Sequence, residues 1–430
     1  MKKSLSTLGN SYFLNLSVGF LFWLVFYPGL FSTDSFAAYE MAKNGELNNS
    51  WTASWAVYVR ALSFHGNFIA LVTLVNCFLL IYSLTRLSSV VFEKRTARWA
   101  SLVICATPSV SGMGITLWHD IPMTAGLLLI SASAISFKRE NQKFSKRILL
   151  DLVIGSSLVT FRPNGIPTLV LVLLIVLAVK NLRQASVILG IGIVISTLFS
   201  SVMSFGFVRQ PLINTYFAQE WMRNDISCFA SKHNSQIFGA TTKIPENEFE
   251  QWKSREACGF LNRAQLADEE KNASLNYVPK AWINLVQKDT LFVLITHSER
   301  HSYLLPLPLF GIPNPPFMHT NIEFQDKGVE WAFEKQASAF RNYFRVWNYL
   351  RGITAWAGLW LVILLILSLM AQRVEFKLLL IMSIGLILIL FVFAPIPDGR
   401  YALYVLLSAQ LSLLGFIVEK TTRERVLNDN

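Results

Sequence analysis

Four short polar clusters interrupt an otherwise apolar chain, and their residue types are those of proton transfer and anion binding. The first runs over 26–35 and ends in Asp34 and Ser35; the second is Trp118, His119 and Asp120. The third is Arg162-Pro163-Asn164-Gly165, and the fourth holds Asp398, Arg400 and Tyr401. A carboxylate in reach of a hydroxyl can take its proton. An arginine fork grips two oxygens of a phosphate, and a cation aimed at developing charge stabilises a leaving group. These types make Asp34 the candidate base, with Arg162, Arg400 and His119 as candidate anion-binding groups. Asp120, Asp398 and Tyr401 are candidate supports. Asp34 has a second reading as the N-cap of a helix starting at Ser35, because aspartate is a favoured cap. No phosphate-binding glycine loop, hydrolase serine elbow or zinc-protease motif in credible context accompanies them.

The elements that position these clusters are membrane helices. The 430 residues are 53% hydrophobic and 15% charged, too little charge to cover a soluble domain of this size. Apolar spans lie at about 12–30, 67–85, 99–117, 121–137, 148–161, 164–180, 185–208, 353–371, 376–395 and 401–418. The fifth is short and holds Asp151. The expected fold is therefore an all-α polytopic membrane protein of about ten transmembrane helices with one large extracytoplasmic loop domain. Its parts are an N-terminal transmembrane region over 1–208, the loop domain over 209–352, and a C-terminal transmembrane region with a tail over 353–430.

Charge in the loops sets the orientation. Eighteen lysines and arginines fall on one side: Lys2, Lys3, Arg86, Lys94, Arg95, Arg98, Lys138, Arg139, Lys143, Lys146, Arg147, Lys180, Arg183, Arg373, Lys377, Lys420, Arg423 and Arg425. The short loops of the other side hold Lys43, Arg60, Arg162 and Arg400. The positive-inside rule then places both termini in the cytoplasm. All four polar clusters and all six histidines face outward. Charges at span ends line a wet cavity or meet the interface, and so many on one face imply a shared site. The net charge of +11 thus reports orientation and not a nucleic-acid partner. The long 209–351 segment is nearly neutral, with 16 basic and 15 acidic residues.

Within the loop domain, 246–270 and a run through Trp331, Phe333, Phe340 and Phe344 read as helical. The 304–316 stretch, with five prolines from Pro306 to Pro316, cannot be helix or inner strand. Cys77 and Cys105 fall in spans and read as packing residues. Cys228 and Cys258 are the two loop cysteines, and an oxidising compartment would pair them. No histidine and cysteine spacing here indicates a metal site. The outer-side tryptophans, Trp55 and Trp118 among them, offer faces on which a sugar could stack, but most read as interface-belt residues.

With these clusters in hand, the chain resembles a GT-C type glycosyltransferase, the multi-span class that uses polyprenyl-phosphate-linked sugars outside the cytoplasm. The likeness rests on Asp34 just after the first span, the amphipathic stretch behind it, and Asp398, Arg400 and Tyr401 entering a late span. It covers the span layout from 1 to about 205 and from 353 to 418. It implies a sugar donor on a polyprenyl phosphate, a glycan or lipid acceptor, and a bacterial plasma membrane. Many members carry two neighbouring acids where this chain has Asp34 and Ser35, which leaves a divalent metal open. Rival readings are a polysaccharide or O-antigen polymerase, which needs a second lipid-linked site, and a transporter or flippase, which needs functional charges at mid-span.

Overall fold

The computed structural model describes residues 2–45, 52–207, 220–233, 277–309, 312–313, 330–394 and 398–428. The described residues form helices and loops without a strand, apart from one isolated parallel bridge between Leu30 and Thr116. In the first part α1 is Lys2–Val25, α2 Thr33–Asn44, α3 Ala53–Leu62, α4 Ile69–Val91, α5 Lys94–Ala106 and α6 Pro108–Gly114. There follow α7 Asp120–Arg139, α8 Lys146–Val159, α9 Gly165–Ala178 and α10 Ala185–Phe207. The loop segment contributes α11 Glu220–His233, α12 Tyr277–Lys288, α13 Thr290–Arg300 and α14 Glu334–Tyr349. The chain ends on α15 Ala357–Ala371, α16 Val374–Phe393 and α17 Leu403–Asn428.

Five helical segments are long and apolar enough to cross a membrane: Ile69–Val91, Asp120–Arg139, Ala185–Phe207, Val374–Phe393 and Gly399–Thr422. Three shorter apolar helices, Ser11–Val25, Gly165–Ala178 and Ala357–Ala371, accompany them. The expected single span over 99–117 is instead broken into α5 and α6. Thr107 is extended (φ −71, ψ 148), the conformation that a following proline imposes, and Pro108 opens the next helix without needing a donor. The expected pair 148–161 and 164–180 is α8 and α9, joined by a turn that carries Arg162; α8 packs on α7 and α10, and α9 packs on α10 and α16.

At the centre stands α7, every residue of its apolar window buried, which suits its mixture of apolar and small residues on all sides. A Cβ placed on Gly126 would come within 2.6 Å of the Gly155 carbonyl, and one on Gly155 within 2.9 Å of the Gly126 carbonyl. The α7 and α8 backbones therefore touch, as small residues permit in membrane bundles. Polar pairs add direction: the Asn15 amide donates to Thr85 and Ser101, both at 2.9 Å, joining α1 to α4 and α5. Asp151, the acid inside the fifth span, is fully buried and paired. It accepts from Arg86 Nε at 2.6 Å and from the Tyr82 hydroxyl at 3.1 Å, while Arg86 Nη2 donates to Ser136 at 3.1 Å. Cys77 and Cys105 are free and buried in α4 and α5, as packing residues.

The described part of 209–352 docks onto the bundle at two places. Helices α11, α12 and α13 enclose a small core of Ile226, Phe229, Leu285 and Val293, and His297 and His301 carry it to the end of α16. Their Nε2 atoms meet the carbonyls of Phe391 and Ala394, the latter at 2.9 Å. The expected helical run leading to the next apolar span is α14. Its Phe344 stacks on Phe26 with centroids 4.9 Å apart, and Trp331 Nε1, just before it, donates to the Gly29 carbonyl at 3.1 Å. The expected helix over 246–270 lies outside the described residues.

Candidate functional site

The turn after α1 is built to place the first polar cluster against the second. Gly29 adopts a positive φ of 132°, and a Cβ there would lie 2.7 Å from Thr73 and 2.8 Å from the Ile115 carbonyl. Only glycine allows both. Leu30 N–H then donates to the Ile115 carbonyl at 3.1 Å, and Leu117 N–H donates to the Leu30 carbonyl at 3.2 Å. Side chains extend this pairing: Ser35 Oγ donates to the Leu117 carbonyl at 3.0 Å, and Trp118 Nε1 donates to Ser32 Oγ at 2.8 Å. Ser32 is the N-cap of α2, with its N–H donating to Ser35 Oγ at 3.0 Å. The capping reading of Asp34 is thereby corrected, because α2 starts at Thr33 and Asp34 lies in its first turn. A carboxylate there is favoured by the helix dipole while its oxygens point elsewhere.

They point to Arg400. Arg400 Nη2 donates to Asp34 Oδ2 at 2.5 Å, and Arg400 Nε lies 2.9 Å from Asp398 Oδ2 and 3.7 Å from Asp120 Oδ2. Asp398 does two jobs, since its Oδ1 also accepts from the Arg400 N–H at 3.0 Å and so caps the 3-10 turn Gly399–Ala402 that opens into α17. Capping favours aspartate on its own account, and here the cap also fixes where the arginine starts. Beneath the guanidinium lies Trp118, 4.5 Å from its ring centre. Trp118 is 1% exposed, so its belt reading is overturned: the indole supports a cation. Trp55 is buried as well.

Arg162 comes from the α8–α9 turn and pairs with Asp120 at the start of α7. Its guanidinium sits 3.7 Å above the Tyr401 ring, which is also 5.3 Å from the Arg400 guanidinium. Tyr401 thus stands between the two cations and keeps their planes apart. His119 is the N-cap residue of α7 and neighbours the Trp55 ring at 6.1 Å. Burial holds its imidazole neutral, pushing it down to about 4; Arg162 and Arg400 act the same way, and Asp120 and Asp34 oppose them. A neutral imidazole can serve as donor or acceptor.

The candidate site residues Asp34, His119, Asp120, Arg162, Asp398, Arg400 and Tyr401 therefore gather in one place, whereas His65 is exposed in the turn before α4. Two guanidiniums against three carboxylates leave one negative charge in excess. Of the five charged side chains, four are under 10% exposed, while Asp34 is 30% exposed. Asp34 is thus the group that an incoming hydroxyl reaches first. Among the described residues, no three His, Cys, Asp or Glu side chains converge as a metal site. Cys228 is buried on α11; Cys258 lies outside the described residues. Sequence reasoning missed Tyr303, a buried tyrosine of the loop segment whose phenol lies in the field of the same carboxylates. Its only signal was a place next to the proline-rich stretch. No known protein family, curated protein or solved structure matches this chain.

Proposed function

We propose that the chain is a membrane glycosyltransferase that moves a sugar from a polyprenyl phosphate to a glycan or lipid acceptor outside the cytoplasm. One observation carries the reading: carboxylates and arginines from four separate segments meet in a single buried cluster, with Asp34 reaching out of it. The loop charges support ten crossings, cytoplasmic termini and an outward site, and α1, the broken pair α5–α6, α8, α9 and α15 then cross beside the five long ones.

The chemistry balances on these groups. The acceptor oxygen attacks the anomeric carbon, and the bond from that carbon to the phosphate oxygen breaks. The polyprenyl phosphate leaves with the electron pair, and the acceptor proton passes to Asp34. Arg162 and Arg400 stabilise charge on the phosphate. Each fork carries five N–H donors, more than its carboxylate contacts use. The carboxylates hold the forks in place beforehand, so no reorganisation is needed when the phosphate arrives.

The test is transfer of a radiolabelled sugar from a polyprenyl-phosphate sugar in membranes containing the protein. Label appearing in an acceptor fraction supports the reading. Label that changes leaflet while still attached to its lipid would make the protein a flippase.

A further inference from the structure

Tyr303 reaches the cluster from a distant part of the chain, and its segment is held on both sides. Two residues earlier, His301 Nε2 lies 2.9 Å from the Ala394 carbonyl at the end of α16. Two residues later, the Leu305 carbonyl accepts from Trp356 Nε1 at 2.9 Å. That carbonyl also packs so closely on α15 that a Cβ at Gly358 would overlap it, at 1.8 Å. The three residues Ser302–Leu304 form one tight 3-10 turn between these anchors. The side chain at 303 is therefore delivered to a fixed place.

That place is buried and polar. Tyr303 is 1% exposed, and its hydroxyl has no hydrogen-bond partner among the described residues. Burial pushes the phenol well above its usual range; the Asp398 carboxylate, Tyr401 and Asp120 add to this, and Arg162 opposes it. The hydroxyl thus keeps its proton in the midst of the cluster. A buried hydroxyl without a partner is costly, and native structures retain such groups where something else satisfies them. The Asp120 Oδ2 atom is likewise buried without a hydrogen bond, but it has Arg400 Nε 3.7 Å away; the Tyr303 phenol, a donor, is free to meet an anionic ligand.

We propose that Tyr303 is a ligand-contacting residue whose phenol donates a hydrogen bond to a phosphate oxygen of the lipid-linked donor, next to Arg162. The assignment rests on the glycosyltransferase reading. A phenol that stays protonated suits an anionic oxygen better than a sugar hydroxyl, since charge-assisted hydrogen bonds are the stronger ones. It also gives the loop segment a part in the site, since 297–305 is docked onto α15 and α16.

The experiment measures binding of farnesyl phosphate and of farnesol to the full-length protein in nanodiscs, for wild type and Tyr303→Phe, together with each thermal midpoint. Tyr303→Phe should weaken farnesyl phosphate about tenfold or more, the loss of one hydrogen bond to a charged partner. Farnesol binding should not change, and the midpoint should stay or rise because a buried unpaired hydroxyl has gone. Unchanged farnesyl phosphate affinity overturns the role of Tyr303 alone. A lower midpoint with unchanged affinity makes the hydroxyl structural and overturns it too. No saturable binding of farnesyl phosphate to wild type overturns the donor reading, and this assignment falls with it.

Discussion

Arg400 and Asp34 lie 366 residues apart in sequence and 2.5 Å apart in space, so the turn after α1 and the entry to the last helix close one site. The contact is anchored from both ends. Asp398 starts the arginine by capping its turn, and the Ser32–Ser35 cap starts the helix that carries Asp34. An arginine with three carboxylates around it is a rigid fork, and rigidity is what phosphate recognition needs. Arg400→Lys keeps the charge and loses the fork. It should express and insert normally yet lose most sugar transfer, about a hundredfold. Turnover near wild type would reduce Arg400 to a structural tie.

The Arg86–Asp151 pair makes a contrasting prediction, because its groups satisfy each other and lie away from the cluster. Removing one partner leaves a buried charge and should lower stability by about 3–5 kcal/mol. Replacing both together, Arg86→Met with Asp151→Leu, should recover most of that loss and retain transfer activity. Thermal midpoints of the three variants decide the matter. A double variant as inactive as a site mutant would make this pair functional and revive the transporter reading.

His119 gives a pH dependence with a definite sign. Its folded value, about 4, lies below the ordinary value of about 6.5, so the unfolded chain binds more protons between them. The stability it contributes is therefore full above pH 6.5 and lost as pH falls towards 4, by about 3 kcal/mol. His301, also pushed down by burial to about 3, acts in the same direction, so the informative quantity is a difference. Midpoints of wild type and His119→Gln should diverge in that window, the variant falling less steeply. Parallel curves would show that His119 is protonated in the folded protein.

Most of the site was legible because membrane helices make charges conspicuous. Asp34, Asp120, Arg162 and Arg400 stand out against apolar spans, and loop charge assigns them one face. Pairing was not legible. That Arg162 takes Asp120 and Arg400 takes Asp34 depends on which span ends are neighbours, and no local pattern encodes that. The roles of Trp118 and Trp55 were misread for the same reason: an outer-end tryptophan looks alike in sequence whether it faces lipid or supports an arginine. The break at Pro108 was missed because an apolar run hides a proline that ends one helix and begins another. The Ser32 cap was missed by two residues, since Ser32, Asp34 and Ser35 are all capping types and only the Leu30–Thr116 bridge decides between them.

Orientation is tested by accessibility. Asn67 and Lys143 are exposed residues in two loops that the charge pattern assigns to opposite sides. In intact cells a cysteine at Asn67 should react with an impermeant maleimide, and one at Lys143 should react only after lysis. Labelling at Lys143 in intact cells would place the cluster in the cytoplasm and remove a lipid-linked donor as its substrate.

The central claim is that Asp34 takes the acceptor proton, and Asp34→Asn tests it most directly. The cap of α2 belongs to Ser32, and asparagine still accepts a hydrogen bond from Arg400, so the fold should be kept. Asparagine cannot take a proton at neutral pH. The measurement is the rate of labelled-sugar transfer from a polyprenyl-phosphate sugar, alongside the thermal midpoint of the same preparation. The expected result is a midpoint near wild type and a rate reduced by about 10²–10⁴. A variant that turns over within a few-fold of wild type would contradict it.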